Sequence, residues 1–127
     1  MNVLITGALG WLGKALTERI SSRHTVRAMD LESRAPRRES VEFDGEVVFG
    51  SVTDFPSIRA AVRGQDAIIH AAIADTGQGL YQPGYALPFE VNIRGAYNVL
   101  ESARQERIAR IILIASAETH VDHPPGT

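Results

Sequence analysis

The 127 residues contain no cysteine. Disulfides, thiol nucleophiles and cysteine-bound zinc are therefore excluded. Charge of one sign is scarce too: 13 basic against 15 acidic side chains leave a net charge of −2. That balance makes no field for nucleic acid or an anionic membrane, and neither partner is expected. No apolar run approaches the ~20 residues of a membrane span. Met1-Asn2-Val3 lacks the basic region of a secretory leader, so a cytoplasmic protein is expected. Lysine occurs once, at Lys14. The histidines form no metal pattern: His120 and His123 share a proline-containing tail with no carboxylate partner.

What is present is an ordinary globular composition, 44% hydrophobic and 22% charged. The length fits one domain, and a domain near this size buries roughly two-thirds of its unfolded surface. The informative stretch is Ile5 to Gly13. The apolar run Val3-Leu4-Ile5 leads into Gly7, Gly10 and Gly13, and a helix-like segment follows. Strand, glycine turn and helix make a cradle for a nucleotide's phosphates. Gly7 allows a sharp turn, Gly10 a close approach to a pyrophosphate, and Gly13 tight packing of helix on strand. The open N–H groups and positive end of that helix face the phosphates. Three glycines alone also fit a plain strand–helix turn. Asp30 adds weight, ending the next strand-like run 23 positions after Gly7, near the ~20 expected of a ribose-binding acid.

The pattern predicts strands over 2–6, 25–29, 46–49, 66–72 and 108–115. Helices are expected over 11–22, 56–63 and 89–107. Leu12, Leu16 and Ile20 form the inner face of the first helix. Val91, Gly95, Asn98 and Val99, continuing to Leu100 and Ala103, form that of the last. Residues 31–45, with Arg34, Arg37 and Arg38, read as a solvated loop with at most one helical turn. Thr53 or Asp54 caps the second helix, with Pro56 in its first turn. The long loop Ile73–Pro88 has the length of a functional loop.

Such alternation predicts an α/β, Rossmann-like, doubly wound parallel sheet of five strands in order 3-2-1-4-5. Its ligand crevice lies at the carboxyl ends of the strands. Gly7, Gly10, Asp30, Ser51, Val52, Ala71, Ala72 and Ser116 all fall there. Asp30 suits the two hydroxyls of an adenosine ribose and repels a 2′-phosphate, favouring NAD over NADP. A turn or capping role is its alternative. Ala71 and Ala72 suit either close approach of a cofactor or plain packing. Ser116 suits either a substrate oxygen or an ordinary strand end, and no nucleophile elbow surrounds it. His70 reads as a hydrogen-bonded core histidine.

Four stretches resemble the extended short-chain dehydrogenase/reductase superfamily, in its NAD-dependent epimerase/dehydratase branch. Thr6–Gly13 resembles T-G-x-x-G-x-x-G, and Asp66–Ala72 resembles the first seven positions of D-x-V-I-H-x-A-A. Asn92–Ala103 resembles N-x-x-G-T-x-N-L-L-E-A-A, and Arg110–Ala117 resembles R-x-V-x-x-S-S-A. The resemblance implies that Gly7, Gly10, Trp11, Leu12 and Gly13 hold a pyrophosphate and Asp30 the adenosine ribose. Ser51 and Val52 would flank the adenine, and Ala71 and Ala72 line the cofactor's middle. Asn92 would brace the active-site side of the long helix. Ser116 matches the catalytic serine. The implied activity is hydride transfer between NAD and a sugar, sugar-nucleotide or similar alcohol.

The sequence departs from that pattern in three places. Ser51 stands where the family usually has Asp. Thr119-His120-Val121 replaces V-Y-G. No Tyr-x-x-x-Lys occurs: Tyr81, Tyr85 and Tyr97 each lack a lysine four residues on. The expectation is one NAD(P)-binding domain over 1–127, cut short at its C-terminal side and inactive by itself. A non-catalytic NAD-binding or NAD-sensing module is the alternative. An open sheet edge and an uncovered face of the long helix predict a homo-oligomer.

Overall fold

The computed structural model describes residues 1–74 and 86–115. The strands are β1 (Asn2–Thr6), β2 (Thr25–Asp30), β3 (Glu46–Phe49), β4 (Ala67–His70) and β5 (Arg110–Leu113). The helices are α1 (Trp11–Ser21), α2 (Phe55–Val62) and α3 (Gly95–Gln105). A 3₁₀ segment, Glu32–Ser40, follows β2, and a π-helical segment, Phe89–Arg94, runs into α3. All strand pairs are parallel, in the order β3-β2-β1-β4-β5. The expected strand order is the observed one, while residues 32–40, expected as a loop with at most one helical turn, form the longer 3₁₀ segment.

Helices cover both faces, which is why consecutive residues inside the central strand β1, Val3, Leu4 and Ile5, are apolar and buried rather than alternating. Leu4 and Ile68 face α2 and α3, where they meet Ile58, Val62, Val99 and Ala103. Val3 and Ile5 face the other way, with Val26 and Ala28, toward Leu16 and Ile20 of α1. Successive β1 side chains thus feed two cores. Each fully buried Leu or Ile contributes roughly 1.5–3 kcal/mol relative to exposure.

Two helices differ in detail from the pattern. In α1 the buried positions are Gly13 and Thr17, with Leu16 and Ile20 beside them, and Leu12 lies only half-buried. The helix rests on its small residues because its first turn sits on the glycine loop. In α3 the buried stripe is Gly95, Asn98, Val99, Ser102 and Ala103. Leu100 falls off that stripe and is exposed with Phe89, Ile93 and Tyr97. The expected single helix over 89–107 is divided, its first turn carrying the extra residue of a π-turn. At the sheet edge Ile111 packs inward while Ile112 is 57% exposed. Asp54 caps α2 as expected, its Oδ2 accepting from Ser57 N at 3.0 Å.

Candidate functional site

The glycine loop is held in shape by backbone alone. Gly7 has φ +70°, a conformation that disfavours a side chain. A Cβ there would also lie 2.7 Å from Ala72 N and Cα and 2.9 Å from Ala71 C. The loop therefore seats directly on the end of β4, so Ala71 and Ala72 are approached by the protein's own backbone. A Cβ on Gly13 would fall on Gly7 O, and this close approach packs α1 against the loop. Gly10 is the N-cap; its N donates to Gly7 O at 3.0 Å and its O accepts from Lys14 N at 2.9 Å.

The N–H groups of Trp11, Leu12 and Gly13 find no acceptor among the described residues. They are the first-turn donors that no helix can satisfy internally. No acidic side chain stands in that turn, so the positive end of α1 is left for an external anion. The Trp11 side chain is 91% exposed.

Asp30 does more than end β2. It is only 8% exposed. Its Oδ2 accepts from Leu9 N and its Oδ1 from Leu31 N, both at 2.8 Å. Ala8 N donates to Met29 O at 3.2 Å beside it. Two adjacent bonds thus stitch the glycine loop to β2. A carboxylate oxygen has two lone pairs, so each keeps one acceptor position. Of the three arginines that follow, Arg34 stands by Asp30, Nε 3.7 Å from Oδ1. Arg38 instead lies over the Phe43 ring and donates to Val41 O at 2.9 Å.

Ser51 and Val52 form the turn after β3. Gly50 N donates to Asp30 O at 3.0 Å, which sets this turn beside the acid. The Ser51 hydroxyl is engaged within the turn, 2.7 Å from Thr53 Oγ1 and 3.2 Å from Thr53 N. Val52 is buried, and its carbonyl accepts from Asn98 Nδ2 at 2.9 Å. Asn98 and Gly95 belong to this neighbourhood although nothing in their spacing assigns them to it. The available signal was an amide on the apolar face of a helix.

At the end of β4, His70 Nδ1 lies 2.6 Å from Thr6 Oγ1, both residues buried. Burial pushes the His70 pKa down to about 4, so the ring is neutral at ordinary pH. It is a core histidine, as expected. Asn92 Oδ1 accepts from Ala74 N at 2.8 Å, bracing the segment after β4 against the π-turn. Ser116, Tyr81, Tyr85, His120, His123 and most of the Ile73–Pro88 loop lie outside the described residues. Among the described residues no His, Asp or Glu group could hold a metal, and no helix is long and apolar enough to cross a membrane.

Glycine loop, acid and β3 turn lie side by side at the carboxyl end of the sheet, in the order β1, β2, β3. The model of the 3-beta hydroxysteroid dehydrogenase/isomerase family matches residues 4–124. The chain belongs to that family. This places it in the extended short-chain dehydrogenase/reductase superfamily. A uronate dehydrogenase of Pseudomonas putida is 33% identical over 118 residues, 92% of this chain and 41% of that protein. The crystal structure of uronate dehydrogenase from Agrobacterium tumefaciens matches with TM-score 0.76 and 29% identity, over 93% of this chain and 41% of that one. UDP-glucose 4-epimerase of Thermus thermophilus, in complex with NAD, matches with TM-score 0.74 and 28% identity, over 87% of this chain and 36% of that one. The chain spans about two-fifths of the length of these relatives.

Proposed function

We propose that this chain is the NAD-binding portion of a dehydrogenase or epimerase acting on a sugar, sugar-nucleotide or similar alcohol. One observation carries the reading: three first-turn N–H groups without an acceptor among the described residues stand beside a buried carboxylate that retains acceptor positions. The residues fit a dinucleotide. The N–H groups of Trp11, Leu12 and Gly13 would hold its pyrophosphate, with Gly7 and Gly10 keeping side chains out of the way. Asp30 would accept from the ribose hydroxyls, and Ser51 and Val52 would flank the adenine. Ala71, Ala72 and Asn92 would border the nicotinamide half. Ser116 would orient the reacting oxygen of the substrate. When bound, the nicotinamide supplies the hydride chemistry, and the protein binds and orients.

Its kinship with a uronate dehydrogenase and a UDP-glucose 4-epimerase supports a sugar-class substrate. These 127 residues contain no Tyr-x-x-x-Lys, so proton handling at the alcohol is not assigned to any of them. The exposed apolar side chains of α3 and β5 support burial against further protein, a second copy included.

Calorimetric titration with NAD and NADP tests the reading. NAD is expected to bind and NADP more weakly. Binding of neither removes the cofactor assignment, and tighter NADP binding removes the role given to Asp30.

A further inference from the structure

The turn after β3 is held from outside itself. Asn98, buried on α3, donates Nδ2 to Val52 O at 2.9 Å. Gly95, one turn earlier, lies so close that a Cβ there would come within 2.6 Å of Val52 Cγ2 and 3.3 Å of its Cβ. The turn's other groups bond among themselves: Thr53 N to Ser51 Oγ at 3.2 Å and Asp54 N to Ser51 O at 3.1 Å. Val52 N–H has no acceptor among the described residues.

Burying an amide costs free energy unless it is hydrogen-bonded. Position 98 lies on the same buried face of α3 as the aliphatic Val99 and Ala103. The helix instead spends a buried position on the carbonyl of a distant loop. The same helical run holds Ala74 N through Asn92. One crossover element therefore grips the chain after β3 and after β4, on either side of the glycine loop.

We infer that Asn98 and Gly95 are positioning residues for the adenine end of the cofactor. They hold the Val52 peptide so that its open N–H presents an invariant edge to the base. The inference rests on the NAD reading above. A dinucleotide with its pyrophosphate on α1 and its ribose at Asp30 brings the base to this turn, because β3 follows β2 in the sheet.

The test measures binding of AMP, inorganic pyrophosphate and NAD by calorimetry. Asn98→Leu removes the donor at similar volume. Ala103→Gly weakens the same buried face of α3 and leaves the Asn98 amide in place. Asn98→Leu is expected to bind AMP and NAD ~10-fold more weakly, the loss of about one hydrogen bond, and pyrophosphate as before. Ala103→Gly is expected to lower stability and keep AMP affinity. Gly95→Ala displaces Val52 through its side chain; it is expected to repeat the Asn98→Leu pattern and stands in if that variant does not fold. The inference is overturned if Asn98→Leu binds AMP like the wild type, if it loses pyrophosphate equally, or if Ala103→Gly weakens AMP as much. In those cases the NAD reading stands. A wild-type chain that binds none of the three overturns the NAD reading and this inference with it.

Discussion

His70 makes a pH-dependent contribution to stability that can be isolated. Burial lowers its pKa from 6.5 to about 4 in the folded chain. Between those values the unfolded chain binds a proton that the folded chain refuses, so stability rises with pH across that window. The contribution is intact above pH 6.5, declines as pH falls, and is fully lost below about 4. The gap corresponds to ~3 kcal/mol in total, of which ~2.5 kcal/mol is lost on going from pH 7 to 4.5. Carboxylates also titrate in this range, so the wild type must be compared with His70→Asn. The amide leaves Thr6 Oγ1 a polar partner but does not titrate. Urea unfolding at constant ionic strength, followed by far-ultraviolet circular dichroism, reads both proteins. The exposed Trp11 is a poor probe of folding. The wild type is expected to lose ~2.5 kcal/mol more than the variant over that interval, with equal denaturant slopes. Parallel pH profiles would refute the burial of a neutral imidazole between β1 and β4.

Gly13→Ala places a Cβ on Gly7 O; a loss of ~1–3 kcal/mol is expected in the same unfolding assay, from overpacking, together with weaker NAD binding by calorimetry. Asp30→Ala removes the acceptor of the buried Leu9 N–H. It is expected to cost ~1–3 kcal/mol and to speed hydrogen exchange at Leu9 even without ligand. An unchanged exchange rate there would contradict the strut role of this carboxylate.

The glycine loop was legible because its requirement is local: positive φ at Gly7 and no side chain at Gly13 are written in the residues themselves. The same holds for the strands, whose apolar runs report burial on both faces. Asp30 was legible as a strand-end acid, but its bonds to Leu9 and Leu31 were not, since the partners lie on another element or in the backbone. Trp11 illustrates the limit differently. Its residue type suggests a contact, yet its side chain is 91% exposed. Leu100 was misplaced because helical periodicity assumes a broad apolar stripe, whereas α3 is buried along the narrow row Gly95, Asn98, Val99, Ser102 and Ala103.

The order of the residues alone determined the alternation of strand and helix, the glycine cradle, the acid at the end of β2 and the family to which the chain belongs. Each rests on local spacing and backbone freedom, which a linear pattern records. Tertiary structure alone decided which groups meet across the sheet: Gly7 on Ala71–Ala72, Asp30 on Leu9, His70 on Thr6, Asn92 on Ala74 and Asn98 on Val52. Those contacts join residues 18 to 65 positions apart. Only the strand order and the helices packed over it bring their partners within hydrogen-bond or van der Waals reach.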